Sequence, residues 1–122
     1  QALGLQEQAA QNYQEAYAFA FARQMFGPAS DALQKLANLF QSNNQTQQAL
    51  EVYQVLLTVD EQARNFYGLM NTYDQIGKLY LALKDYPQAR DAFQKGLQMA
   101  QQLQYRESYF NQQIQQVSQE TQ

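Results

Sequence analysis

The sequence contains no cysteine, no histidine and no tryptophan among its 122 residues. Without thiols or imidazoles there is no disulfide framework, no zinc site with nitrogen or sulfur ligands, no thiolate nucleophile and no ordinary side chain that titrates near neutrality. A catalytic dyad would have to be assembled from lysine, tyrosine or carboxylates around scattered serines, which points away from an enzyme. Five glycines and two prolines are too few for the tight turns of an all-β chain. Gly4, Gly27, Gly68, Gly77 and Gly96 are dispersed rather than gathered into a phosphate-binding loop.

Charge is scarce as well. Eight basic and eleven acidic residues leave a net charge of −3, and only 16% of the chain is charged. No window clusters Lys and Arg, so the electrostatic footprint that phosphate backbones require is missing and nucleic acid is not expected as a ligand. The longest run of small and aromatic residues, "AYAFAFA" at 16–22, is far shorter than the ~20 residues of a membrane span. No metal or cofactor is implied, and a soluble, cytoplasmic chain is expected. What is abundant is glutamine, about a fifth of all residues, together with Ala, Leu and Glu. These are helix formers, and their weight predicts an all-α protein whose polar faces carry amides rather than charges.

An internal repeat organises the chain. Ala9, Ala49 and Ala89 are each 40 residues apart, and the same offset aligns Tyr13, Tyr53 and Phe93, then Tyr17, Leu57 and Leu97, then Phe19, Val59 and Met99. The preceding segments follow it: Leu33 with Tyr73, Leu36 with Ile76, Ala37 with Gly77, Leu39 with Leu79 and Phe40 with Tyr80. Leu33, Leu36, Ala37 and Phe40 form an i, i+3, i+4, i+7 stripe, the mark of one buried helical face. A break rich in turn residues follows each stripe, "QSNNQT" in one copy and "LKDYP" in the next. Thr46 is a candidate N-cap there, and Pro87 sits where a first helical turn has no N–H to lose. A second helix then buries Ala49, Tyr53, Leu56 and Leu57, or Ala89, Phe93, Gly96 and Leu97. Small residues at 37/77 and 49/89 let the two helices approach closely.

The order aliphatic-small-x-x-aromatic, turn, Ala-x-x-x-aromatic-x-x-small-Leu resembles the tetratricopeptide repeat. The copy Tyr73, Ile76, Gly77, Tyr80, Tyr86, Ala89, Phe93, Gly96, Leu97 carries the resemblance best, and Leu33, Leu36, Ala37, Phe40, Ala49, Tyr53, Leu56 carries it in a less typical form. The period is 40 rather than the family's usual 34, with the extra residues placed around 60–65. The resemblance implies a right-handed α-solenoid of antiparallel hairpins.

As one domain over 1–122, the expected layout is the second helix of a truncated repeat at 5–26 ended by Gly27-Pro28, repeats at 30–59 and 61–102, and a capping or next-repeat helix at 106–119, about six helices in all. Asp60 is a candidate N-cap for a long helix reaching Leu83. Asp60, Glu61 and Asp85 read as capping or first-turn acids favoured by the helix dipole. At the first helix, Ala9, Tyr13 and Ala16 leave an apolar strip unless upstream residues, a neighbouring copy or the Leu3/Leu5 segment covers it, so self-association at this edge is expected.

The resemblance further implies a non-catalytic scaffold that holds a partner peptide or segment in a concave groove lined by the first helices. Its register places Asp31, Gln34, Asn38, Gln41 and Ser42, then Asn71, Asp74, Lys78, Leu81 and Ala82, on that groove. Gln34, Asn71 and Gln75 stand where a carboxylate clamp needs Lys or Arg, so capture of an EEVD-type terminus is not implied. Phe66, Tyr67 and Met70 form a further candidate patch, with core packing as its competing account. The rival reading of the whole is a spacer or self-association segment of a larger protein.

Overall fold

The computed structural model describes residues 2–121, the side chains of Ala2 and Leu3 excepted. These residues form six α-helices and no strand: α1 (Ala2–Ala22), α2 (Phe26–Ser42), α3 (Thr46–Gln62), α4 (Phe66–Ala82), α5 (Tyr86–Leu103) and α6 (Glu107–Glu120). The chain divides into two compact units, Gln1–Arg64 and Asn65–Gln122. In the first, α2 packs against both α1 and α3; in the second, α5 packs against both α4 and α6.

The breaks recur every 20 residues and share one backbone device. Gln24, Asn44, Arg64, Lys84 and Gln104 all have positive φ, between 53° and 61°. At four of them the two amides that follow the helix reach back over it. In the first, Met25 N–H donates to Ala20 O at 2.9 Å and Gln24 N–H to Phe21 O at 2.9 Å. Corresponding pairs end α2, α4 and α5. This left-handed closure satisfies carbonyls that a helix end would otherwise orphan. Only Asn44 among the five is a residue type that enters this region readily; the others each cost roughly 1 kcal/mol there.

Helix starts are less uniform. Asn65 accepts from Gly68 N–H at 2.9 Å, and Asp85 accepts from Gln88 N–H at 3.4 Å with Pro87 in the first turn, as the sequence suggests for the second corner. Elsewhere the sequence reading is corrected. Gln45, not Thr46, occupies the N-cap of α3. Gly27 and Pro28 lie in the first turn of α2 and do not end α1. Asp60 caps nothing: it belongs to the last turn of α3, is only 2% exposed, and accepts from Ser30 Oγ at 2.8 Å. The residues beyond a 34-residue period are therefore spread along 17-residue helices rather than inserted around 60–65.

The predicted knobs face inward. Ala49, Tyr53, Leu56 and Leu57 are buried on α3, as are Leu33, Leu36 and Ala37 on α2, which packs against it. On α5, Ala89, Phe93 and Gly96 are buried and Leu97 half-buried. Two glycines admit rings closely in the second unit: a Cβ at Gly77 would meet the Phe93 ring at 2.6 Å, and one at Gly96 the Phe110 ring closer still. Phe110 and Val117 of α6 complete the core with Met70 and Ala100, while Gln112, Gln115, Gln116 and Gln119 face solvent.

Candidate functional site

In the first unit the polar strip lies on α2. Ala29, Ala32, Leu33, Leu36 and Ala37 turn into the core, which leaves Asp31, Asn38, Gln41 and Ser42 exposed and Gln34 half-buried. Asp31 pairs with Lys35 at 3.5 Å, both largely in water, so the pair contributes little beyond solubility. The remainder is an amide row. Gln34 Nε2 donates to Asn38 Oδ1 at 3.1 Å, and Ser42 Oγ donates to the Asn38 carbonyl at 2.9 Å. The buried Tyr53 of α3 donates its hydroxyl to Gln41 Oε1 at 2.7 Å, tying the row to the core. Burial raises the pKa of that hydroxyl, and an interaction with Gln34 offsets part of the rise.

The strip of α4 in the second unit is built differently. Asp74 is 6% exposed. Its Oδ1 accepts from Tyr109 OH of α6 at 2.7 Å, and its Oδ2 lies 3.3 Å from Lys78 Nζ and 3.9 Å from Arg106 Nη2. Arg106 Nη1 donates to Asn71 Oδ1 at 3.3 Å, and its guanidinium sits 4.2 Å from the Tyr109 ring centroid. Burial and the bond to Asp74 raise the Tyr109 pKa. Partial burial pulls Lys78 down, but its hydrogen bond with Tyr109 and the Asp74 charge outweigh that and raise it. Lys78 itself remains exposed, Leu81 is half-buried and Ala82 exposed.

The α4 positions thus fall on one cluster already engaged by α6. Arg106 and Tyr109, its anchoring side chains, are not among the site candidates that the sequence suggests. The signal was present in the register: Phe26 and Phe66 precede Arg106 at 40-residue intervals, so a cation replaces an aromatic in the third copy. The aromatic patch resolves into two parts. Met70 is buried, whereas Tyr67 is exposed and stacks on Tyr105 with ring centroids 5.9 Å apart.

No group of three or more His, Cys, Asp or Glu side chains that could hold a metal occurs among the described residues. A profile of the tetratricopeptide repeat matches residues 28–102, more than half of the chain and both α-hairpins α2–α3 and α4–α5. The chain belongs to the tetratricopeptide repeat family. No curated protein matches it as a relative. Tetratricopeptide repeats are in general protein–protein interaction modules built as non-catalytic scaffolds. No helix among the described residues is long and apolar enough to cross a membrane.

Proposed function

We propose that this chain is a non-catalytic scaffold for a partner protein, with candidate contact positions on the first-helix strip of each unit: Asp31, Gln34, Asn38 and Gln41 on α2 in one, and Asn71, Asp74, Lys78 and Leu81 on α4 in the other. The observation that carries the reading is the amide row of α2. Asn38 is a weak helix former in mid-helix and exposed, and a packed surface does not need it there. An amide row can donate to and accept from the backbone of an extended segment, and it asks for no charge complementarity. The α4 strip supplies an exposed ammonium, Lys78, oriented by Asp74 and Tyr109. An affinity near micromolar, about −8 kcal/mol, is expected.

Peptides selected on the chain from a random display library provide the test. Asn38→Ala and Lys78→Ala together should weaken capture at least about tenfold, or 1.4 kcal/mol, with the melting temperature unchanged. Selected peptides that bind both forms equally would remove the strips from the site. The rival reading, a spacer or self-association segment, draws on a separate observation, the exposed face of α1.

A further inference from the structure

We infer that the cleft at the α2–α3 corner is a pocket for one cationic side chain, an arginine of a partner protein. It shares with the first-helix strips only that the partner is a protein, since its lining takes in neither Asn38 nor Gln41. The cleft has a volume of about 220 Å³ and lies within the first unit, between the N-terminal half of α1, the end of α2 and the start of α3. That is below the roughly 300–1,000 Å³ of a pocket for a whole small molecule, and it suits a single long side chain. The two corners of the chain differ here. Thr46 stands where the second corner has Tyr86, which packs against the core of its unit, so the first corner carries less bulk.

The lining has the two parts that such a side chain needs. Leu39 and Phe40, both half-buried, offer an apolar wall to the aliphatic stem. Gln6, Gln45 and Gln48 supply amides and Glu7 a carboxylate, and none of these four side chains makes a hydrogen bond or ion pair among the described residues. Asn43 uses its amide N–H on the Leu39 carbonyl at 2.9 Å, which leaves its own side-chain oxygen as one more acceptor. A guanidinium carries five N–H donors and no acceptor, so carboxylate and amide oxygens are what it requires. Charge selects the cation. Glu7 is the one charged residue of the lining, and no Lys or Arg there neutralises it. The C-terminus of α2 and the N-terminus of α3 meet at this corner, and their dipole ends, roughly half a charge each and opposite in sign, offset one another. An anionic side chain would be repelled by Glu7, and an apolar one would strip water from the polar groups without replacing its hydrogen bonds. The net charge of −3 favours approach of a cationic partner as well.

N-acetyl-arginine amide titrated into the isotopically labelled protein provides the test, with N-acetyl-citrulline amide, its uncharged isostere, as the control. Arginine should shift the side-chain amide resonances of Gln6, Gln45 and Gln48 in a saturable way, in the millimolar range because Glu7 is exposed and the pair is screened. Citrulline should need a concentration at least about tenfold higher for the same shifts. Glu7→Gln should bring arginine to the citrulline level with an unchanged helical signal. Ala10→Leu, which puts a larger side chain into the same cleft, should abolish the saturable shifts. The double variant Asn38→Ala, Lys78→Ala should bind arginine as the parent does, so that a failure of the strips and a failure of this pocket are told apart. Equal response to arginine and citrulline, shifts that never saturate, or full arginine binding by Glu7→Gln or Ala10→Leu would overturn the inference.

Discussion

The hairpins α2–α3 and α4–α5 solve the same packing problem with opposite chemistry. In α4–α5 the central positions are apolar, although Thr72 and Asp74 are also buried on α4. Met70, Ala89, Phe93 and Ala100 are fully buried, and Gly77 lets the Phe93 ring lie against the α4 backbone. In α2–α3 the register equivalents of Met70 and Ala100 are Ser30 and Asp60, joined by a 2.8 Å hydrogen bond, and the equivalent of Phe93 is Tyr53, whose hydroxyl reaches out to Gln41. The polarity of the outward strips runs the other way. The hairpin with the apolar centre carries the ionic cluster of Asp74, Lys78 and Arg106, while the hairpin with a buried polar pair shows an amide row. A repeat therefore constrains volume and helix face at each position more tightly than polarity, and chemistry can be moved between core and surface from copy to copy.

That comparison can be broken at several points. Phe93→Ala should destabilise the protein by about 3–5 kcal/mol, since it removes the centre of the apolar core, and chemical denaturation measures it. Tyr53→Phe tests the polar counterpart; it keeps the ring, leaves Gln41 at the surface to bond water, and should cost only about 1 kcal/mol. Gly77→Ala should cost about 1–3 kcal/mol because the buried Phe93 ring has little room to yield. The mirror change Ala37→Gly should cost about 1 kcal/mol through helix propensity. Equal losses for the two glycine exchanges would show that the ring-on-backbone contact is not particular to the second hairpin.

Two smaller effects sharpen the picture. Tyr53, Lys78 and Tyr109 all have raised pKa values in the folded state, so the stabilisation they give is complete below their ordinary values of 10.0 and 10.5 and is lost as pH rises through the raised ones. Stability should fall above about pH 10, and Tyr109→Phe should flatten the part of that fall which belongs to the second unit, as urea midpoints from about pH 8 to 11 would show. Lys84→Gly, at a positive φ of 61°, should raise stability by up to about 1 kcal/mol. A loss there would show that the lysine side chain outweighs its backbone strain.

Much of the core is legible in the sequence. The 40-residue register placed Leu33, Leu36, Ala37, Ala49, Tyr53, Ala89 and Phe93 in the core, because burial repeats wherever a helical face repeats. The helix boundaries were harder to read. Positive φ at Gln24, Arg64, Lys84 and Gln104 carries no glycine signal, so from sequence the break at 63–65 reads as helix and Asp60 as a cap. Asp60 shows a second limit. An acid near a helix end reads as a capping residue, and only the packing of α2 on α3 brings the Ser30 hydroxyl to it. On the candidate site, the positions carried over with the family resemblance include Asn38 and Gln41, and both are exposed. Periodicity could not show that Arg106 and Tyr109, each 35 residues further along the chain, reach Asn71 and Asp74.

Residue-resolved amide hydrogen exchange tests the repeat architecture most directly, since every site discussed is placed by it. The account predicts protected helical blocks interrupted by fast-exchanging first-turn amides at 26–27, 46–48, 66–67 and 107–109, which lie beyond the bonded helix-end closures, with the slowest exchange around Tyr53 and Phe93. One uninterrupted protected stretch from Asp60 to Leu83, or rapid exchange at Tyr53 and Phe93, would contradict it.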